Sequence, residues 1–209
     1  MSYAEYGIGA TTVGIRVKNA VVLASEKRMS YGGFVFSKMA RKVYKITDNI
    51  GIAFAGLYAD MQALVKILKG ELQYYMLTLN KRPRVSAAAK LLSAILYSSK
   101  LIPFITEVLV GGIDDGNVAR LYVLDPVGSL IEDDFAALGS GAAIAIGVLE
   151  AEYKPDLPPE KAKELAVKAI RVAMERDPLS GDGIDVLLIY AEESGIKSIE
   201  EHIRVPTSS

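Results

Sequence analysis

Few side chains in this sequence can do chemistry, and their types narrow the reactions open to it. None of its 209 residues is cysteine, so thiol catalysis, disulfides and zinc–thiolate sites are excluded. The single histidine, His202, lies near the C-terminal end. A Ser-His-Asp triad would have to use it, and a multi-histidine metal site is impossible; no metal and no cofactor is expected. There remain hydroxyls, carboxylates and an amine at scattered positions: Thr11, Glu26, Lys42, Ser140, Asp177 and Ser180. Each also has an ordinary reading. Glu26-Lys27-Arg28 reads as an exposed charge cluster and Lys42 as a solvated strand residue. Ser140, between two glycines, reads as a helix N-cap. Asp177 before Pro178 reads as a helix stop, and His202 as a solvated residue near the chain end.

The elements that must position these residues follow from period and punctuation. Thr12 to Val17 and Ala20 to Ala24 read as strands joined by a tight turn at Lys18-Asn19. Val43 to Ile46 and Ile50 to Ala55 repeat the theme around Thr47-Asp48-Asn49, and Gly56 ends the strand run. Leu57, Met61, Leu64, Leu68, Leu72, Tyr75 and Leu79 then fall at spacings of three and four, which lays an apolar stripe along a long helix that Pro83 cannot continue. Ser86 to Ser99 is a second helix, with Ala88, Leu91, Leu92, Ile95 and Leu96 on its buried side. Strands return at Ile105 to Val110, Arg120 to Leu124, Ser129 to Ile131 and Asp134 to Leu138. Gly111-Gly112, Asp114-Asp115-Gly116 and Pro126-Val127-Gly128 are read as turns between them. Ala142 to Tyr153 and Pro159 to Arg176 are two more helices, the latter with proline where a missing N–H costs little. Gly183 to Tyr190 and Lys197 to Ile203 close the chain as strands. Two helix pairs, each flanked by strands, predict an α+β fold: a four-layer αββα sandwich of two mainly antiparallel sheets with two helices on each outer face.

Composition bounds the rest. Hydrophobic residues make up 51%, too many for a disordered chain and enough for one large domain. No run approaches the ~20 apolar residues of a membrane span. The stretch from Met1 to Gly9 has no basic residue and no apolar block, unlike a secretory signal. A cytoplasmic protein is expected. With 24 basic and 25 acidic residues intermixed, nothing suggests a nucleic-acid footprint.

Several motifs then fall in one order: Gly9-Ala10-Thr11-Thr12-Val13-Gly14-Ile15, Leu23-Ala24-Ser25-Glu26-Lys27-Arg28, Ala40-Arg41-Lys42-Val43, Ala55-Gly56-Leu57-Tyr58-Ala59-Asp60, Gly111-Gly112-Ile113-Asp114, Gly139-Ser140-Gly141, Gly147-Val148-Leu149-Glu150 and Arg176-Asp177-Pro178-Leu179-Ser180-Gly181. Together they resemble the β-type subunits of the 20S proteasome, most closely the archaeal ones, over nearly the whole chain. In that family a threonine following a glycine becomes the N-terminal nucleophile, and its own α-amine accepts the hydroxyl proton directly or through water. The resemblance implies that Lys42 favours the alkoxide and that Glu26 pairs with it. It implies that Ser140, Asp177 and Ser180 hold the amine end, and that the Gly56 N–H is the oxyanion donor, a kind of group typically worth about 3 kcal/mol. It places Met29, Ala40, Phe54 and Tyr58 around the substrate pocket, where Phe54 either narrows the pocket or is plain core. It also implies partners: α-type and other β-type subunits in heptameric rings of a four-ring stack, unfolded polypeptides as substrates, and a regulatory ATPase cap on the particle.

The sequence departs from the family at the decisive position. Counting back from Lys42 and Glu26 with the family's spacing, the nucleophile position is Ala10. A methyl group can neither attack a carbonyl nor perform the self-cleavage that frees the amine. Residues 1–9 are therefore expected to remain as a propeptide-like segment ahead of a single domain over 10–209. Two origins are open, a natural silent paralogue or an engineered threonine-to-alanine change. The alternative nucleophile is Thr11, were the chain trimmed after Ala10. One residue along a strand moves a side chain by ~3.3 Å and turns it to the other face, and a misplacement of about 1 Å can cost ~10²-fold. A small-molecule N-terminal-nucleophile amidohydrolase is the reading outside the family.

Overall fold

The computed structural model describes residues 9–31 and 33–205. Its strands are β1 (Thr12–Val17), β2 (Ala20–Glu26), β3 (Met29–Tyr31), β4 (Phe34–Ser37), β5 (Val43–Lys45), β6 (Ile50–Gly56), β7 (Thr106–Asp114), β8 (Val118–Leu124), β9 (Leu130–Glu132), β10 (Phe135–Leu138), β11 (Ile184–Glu192) and β12 (Gly195–Ile203). Its helices are α1 (Tyr58–Leu79), α2 (Val85–Ser98), α3 (Ala142–Glu152) and α4 (Pro159–Met174). One five-stranded sheet runs β10-β1-β2-β11-β12 and another β5-β6-β7-β8-β9. Every pairing between these strands is antiparallel.

The layers follow from period-two alternation on strands buried on both faces. On β6, Ile50, Ile52 and Phe54 join a core with α1 and α2, while Ala53 and Ala55 face the other sheet. On β2 and β11, Val22, Ala24, Val186 and Leu188 meet α3 and α4, while Val21, Leu23, Leu187 and Ile189 face inward. Two helix–sheet cores and one sheet–sheet core give the αββα sandwich expected from the sequence.

Glycines set the sheet spacing. A Cβ at Gly51 would lie 2.4 Å from Leu187 Cδ2, and one at Gly111 would lie 2.6 Å from Val21 Cγ1. At Gly112 a Cβ would meet the Asn49 carbonyl oxygen at 2.0 Å. Gly111-Gly112 is therefore not the turn read from sequence but the middle of β7, where the chain passes too close to its neighbours for a side chain. The reversal comes later, at Asp115 to Asn117, where Gly116 and Asn117 have positive φ.

Two other expectations need correction. The β3–β4 hairpin, absent from the sequence reading, forms a separate two-stranded sheet whose Tyr31, Phe34 and Phe36 side chains face outward. The stripe on α1 is buried only from Met61 to Leu72; Tyr75 and Leu79 are exposed on its last turns. Among the described residues, no helix is long and apolar enough to cross a membrane.

Candidate active site

Four loop ends converge where β1 begins. Thr11 leads into β1, Glu26 ends β2 and Lys42 immediately precedes β5, with its carbonyl accepting the Phe54 N–H at 3.1 Å. Ser140 lies in the β10–α3 turn, and Asp177 to Ser180 lie in the α4–β11 turn. That second turn is built locally: the Asp177 N–H reaches the Ala173 carbonyl at 2.8 Å and the Ser180 N–H reaches that of Asp177 at 3.1 Å.

Hydrogen bonds then join the polar residues into one network. Ser140 Oγ and Ser180 Oγ each donate to Asp177 Oδ2 at 2.6 Å, while the Leu179 N–H donates to Asp177 Oδ1 at 3.1 Å. Because Ser180 commits its proton to Asp177, Thr11 Oγ1, 2.7 Å from Ser180 Oγ, is the donor of that pair. The Ala10 carbonyl accepts from the Gly141 N–H at 3.4 Å, with Ser140 Oγ, its proton committed to Asp177, 3.3 Å away. Ala10 itself is buried, and a Cβ at Gly9 would meet Leu179 Cβ at 2.2 Å and Ser140 Oγ at 2.7 Å.

The other half of the network is charged. Lys42 Nζ pairs with Glu26 Oε1 and donates to the Arg28 carbonyl at 2.6 Å. Glu26 Oε1 also accepts the Thr11 N–H at 3.4 Å, and Oε2 accepts the N–H groups of Arg28 at 2.6 Å and Gly181 at 3.1 Å. Both side chains are inaccessible to solvent. Burial pushes the Glu26 carboxyl up; the Lys42 charge and hydrogen bond, with the two amides, pull it back. Such a pair is stable only with both partners present.

The sequence candidates are thus brought together with one exception in character. Glu26, Lys42, Asp177 and Ser180 form a buried set with Ser140 bonded at its exposed edge, so the solvated readings of Glu26 and Lys42 are wrong. Ser140 is no N-cap, because α3 is capped by Gly141 without a side-chain bond. Ala10 contributes only its carbonyl, and the hydroxyl of Thr11 turns toward Ser180 rather than Lys42. Gly56 ends β6 at φ +129, where a Cβ would meet the Ile105 carbonyl oxygen at 2.3 Å. Its neighbour Ala55 borders the site: a Cβ at Gly139 would touch both Ala55 Cβ, at 3.0 Å, and the Ala10 carbonyl oxygen, at 2.2 Å.

The pocket residues divide. Phe54 is fully buried in the α1–α2 core, its ring edge-on to Tyr44 at 6.3 Å with Tyr58 at the rim. The Tyr58 hydroxyl accepts the Arg41 N–H at 3.3 Å, and the Ala40 N–H is held by the Lys27 carbonyl at 3.0 Å. Met29 is half-buried at the start of β3. His202 is not simply solvated: its Nδ1 lies 2.5 Å from Asp185 Oδ1 and 3.3 Å from Lys27 Nζ, across the β11–β12 ladder from the site network. Arg28 and Asp182 flank the site with roles that sequence reading did not assign. Among the described residues, no cluster of three or more acidic or histidine side chains could hold a metal ion.

A two-sheet αββα sandwich, with a lysine–carboxylate pair and a serine–aspartate–serine relay around the start of its first strand, defines the N-terminal-nucleophile hydrolase class. Within that class the chain belongs to the proteasome subunit family, whose "Proteasome subunit" model matches residues 7–189. It is 59% identical over 98% of its length to all of the proteasome subunit beta 1 of Hyperthermus butylicus. It is 54% identical over 88% of its length to 91% of the proteasome subunit beta 1 of Ignicoccus hospitalis. Against the proteasome subunit beta 2 of Pyrobaculum neutrophilum the identity is 50%, over 96% of this chain and 97% of the relative. It is a β-type subunit of a 20S proteasome of the archaeal, thermophile kind, a proteolytic assembly, and it joins other proteasome subunits in rings.

Proposed function

We propose that this chain builds the ring without cutting peptide bonds itself. One observation carries this reading: the position to which the family motifs assign the nucleophile is Ala10, whose side chain is a buried methyl group. A methyl carbon has no lone pair with which to attack a carbonyl and no proton to give the amine. The same loss removes the step that would release Gly9, so residues 1–9 stay attached ahead of one domain over 10–209; residues 1–8 lie outside the described part of the structure. The orientation of Thr11 weighs against it as a substitute. Its hydroxyl is buried and donates to Ser180, and its N–H, a peptide amide, faces Glu26.

In this reading the chain sits in a cytoplasmic four-ring stack with α-type and other β-type subunits, seven to a ring. Active neighbours cut unfolded polypeptides delivered through a regulatory ATPase cap. Phe54 lies in the α1–α2 core, which favours its plain-core reading over that of a residue narrowing the pocket. Intact-mass spectrometry of the assembled particle tests the proposal. A chain that keeps Gly9-Ala10 supports it, and a chain that begins at Thr11 overturns it. In the Ala10→Thr variant the surrounding groups regain a hydroxyl to act on, so cleavage after Gly9 is expected. A variant that stays uncleaved would mean that Lys42 and Glu26 have been assigned to the wrong role.

A further inference from the structure

Asp182 is held in a conformation that its residue type resists. Its φ is +71, in the left-handed region that disfavours side chains, although glycines flank it on both sides. Its carboxylate is 2% exposed. Oδ2 accepts Arg28 Nε at 2.7 Å, and Oδ1 lies 3.6 Å from Lys38 Nζ. Burial opposes ionisation, but the hydrogen bond and charge of Arg28, with Lys38, outweigh it and hold the carboxyl below its ordinary range.

Arg28 grips the same turn at two more points. Nη1 donates to the Pro178 carbonyl at 2.8 Å, and the guanidinium lies against Gly181, where a Cβ would sit 2.4 Å from Nη2. The main chain of Arg28 serves the other half of the site, with its N–H on Glu26 and its carbonyl on Lys42. One residue therefore spans the lysine–glutamate pair and the turn that carries Asp177 and Ser180. The two halves are also stitched directly, from the Lys27 N–H to the Gly181 carbonyl and from the Gly181 N–H to Glu26, both at 3.1 Å.

We propose that the Arg28–Asp182 ion pair is a latch that keeps the 177–183 turn in register with Glu26 and Lys42, making both residues positioning residues of the site. Neither touches a reacting atom. The geometry favours this over a stabilising surface pair, because a glycine at 182 would relieve the backbone strain and an ordinary structural role would not need the carboxylate. The latch as a positioning device rests on the reading of the Ala10 surroundings as a processing site.

Asp182→Gly, Arg28→Lys and the double variant test it in the full-length chain, assembled with its partners, in two backgrounds. In the chain with Ala10, hydrogen exchange at the Gly181 and Lys27 amides should speed up about tenfold or more in each variant, the loss of a charge-assisted hydrogen bond. The β11 amides from Leu187 to Ile189 should not change. In the Ala10→Thr background, cleavage after Gly9, followed by intact mass, should slow about ten- to a hundredfold, as for a displaced site. The double variant should be no slower than the worse single, since both break one contact. Unchanged exchange at Gly181 in Asp182→Gly overturns the latch, as does cleavage at the parent rate. If Ala10→Thr alone is never cleaved, the processing-site reading fails, and the exchange arm still decides whether the turn is latched.

Discussion

Replacing Lys42 by methionine in the chain as it stands isolates the buried ion pair from any catalytic role. The variant keeps a long apolar stem and removes the ammonium. Glu26 then keeps its amide donors but has no counter-charge, in a site sealed from solvent. Breaking a buried pair from one side typically costs about 3–5 kcal/mol. For a domain of this size each kcal/mol moves the melting temperature by about 2–4 °C, so a fall of about 6–20 °C is expected. The effect has a pH signature. Burial already pushes the Glu26 carboxyl up, and removing Lys42 removes the influence that most opposes it. An acid with a raised folded pKa binds its proton more tightly in the native state than in the unfolded chain, where its pKa is about 4.3. The penalty should therefore be small near pH 4 and grow as the pH climbs through the raised value. Adding Glu26→Gln, which needs no counter-charge, should recover most of the loss. Scanning calorimetry at about pH 4.5 and about pH 7.5 measures all three quantities. A loss under about 1 kcal/mol at neutral pH, a loss equal at both pH values, or a double variant no better than the single would each refute a buried, mutually dependent pair.

Gly51→Ala should destabilise by about 1–3 kcal/mol in denaturant titration, because its Cβ would meet Leu187 Cδ2 at 2.4 Å and push the sheets apart. Thr11→Val keeps the shape and deletes the hydroxyl that donates to Ser180, so a loss of about 1–2 kcal/mol is expected in the same titration. Asp182 has a depressed folded pKa, so its ion pair contributes above the unfolded value of about 3.9 and is lost as the pH falls through the folded one. Asp182→Gly should accordingly differ from its parent at neutral pH and converge with it in acid, as read by unfolding midpoints at about pH 3 and about pH 7.

Periodicity reports burial, so the sequence was legible wherever burial shaped it. Ile50 to Ala55 and Val21 to Leu23 read as strands because both of their faces are covered. The α1 stripe was readable for the same reason, and misleading only at Tyr75 and Leu79, where the helix outruns its sheet. The β3–β4 hairpin was invisible because Phe34-Val35-Phe36 has no apolar–polar alternation and sends Phe34 and Phe36 to solvent. Gly111-Gly112 misled in the opposite way: glycine marks turns, but here it marks a close approach between sheets that only the folded chain reveals. At the site, the family motifs located Glu26, Lys42, Ser140, Asp177 and Ser180, whereas their mutual bonds, and the burial of all but Ser140, depend on contacts between residues far apart in sequence. A non-glycine between Gly181 and Gly183 was the available signal for Asp182, and its partner Arg28 was hidden in what looked like a surface charge cluster.

On the proposed reading of Ala10, the site keeps its polar residues without a nucleophile for a physical reason. Among the described residues, no side-chain nitrogen or oxygen of this network is buried without a hydrogen bond. Lys42 cannot be lost without stranding Glu26, and Glu26 cannot be lost without freeing the Lys42 ammonium and the amides of Arg28 and Gly181. Asp177 in turn holds Ser140 and Ser180, and Ser180 accepts the proton of the Thr11 hydroxyl. Each member satisfies a group that would otherwise be buried unpaired, at about 1–3 kcal/mol apiece and more for a charge. The methyl group of Ala10 enters none of these bonds. The position that decides reactivity is therefore the one that the fold can change without disturbing its own support, while the residues that would serve a nucleophile are fixed by the structure they hold together.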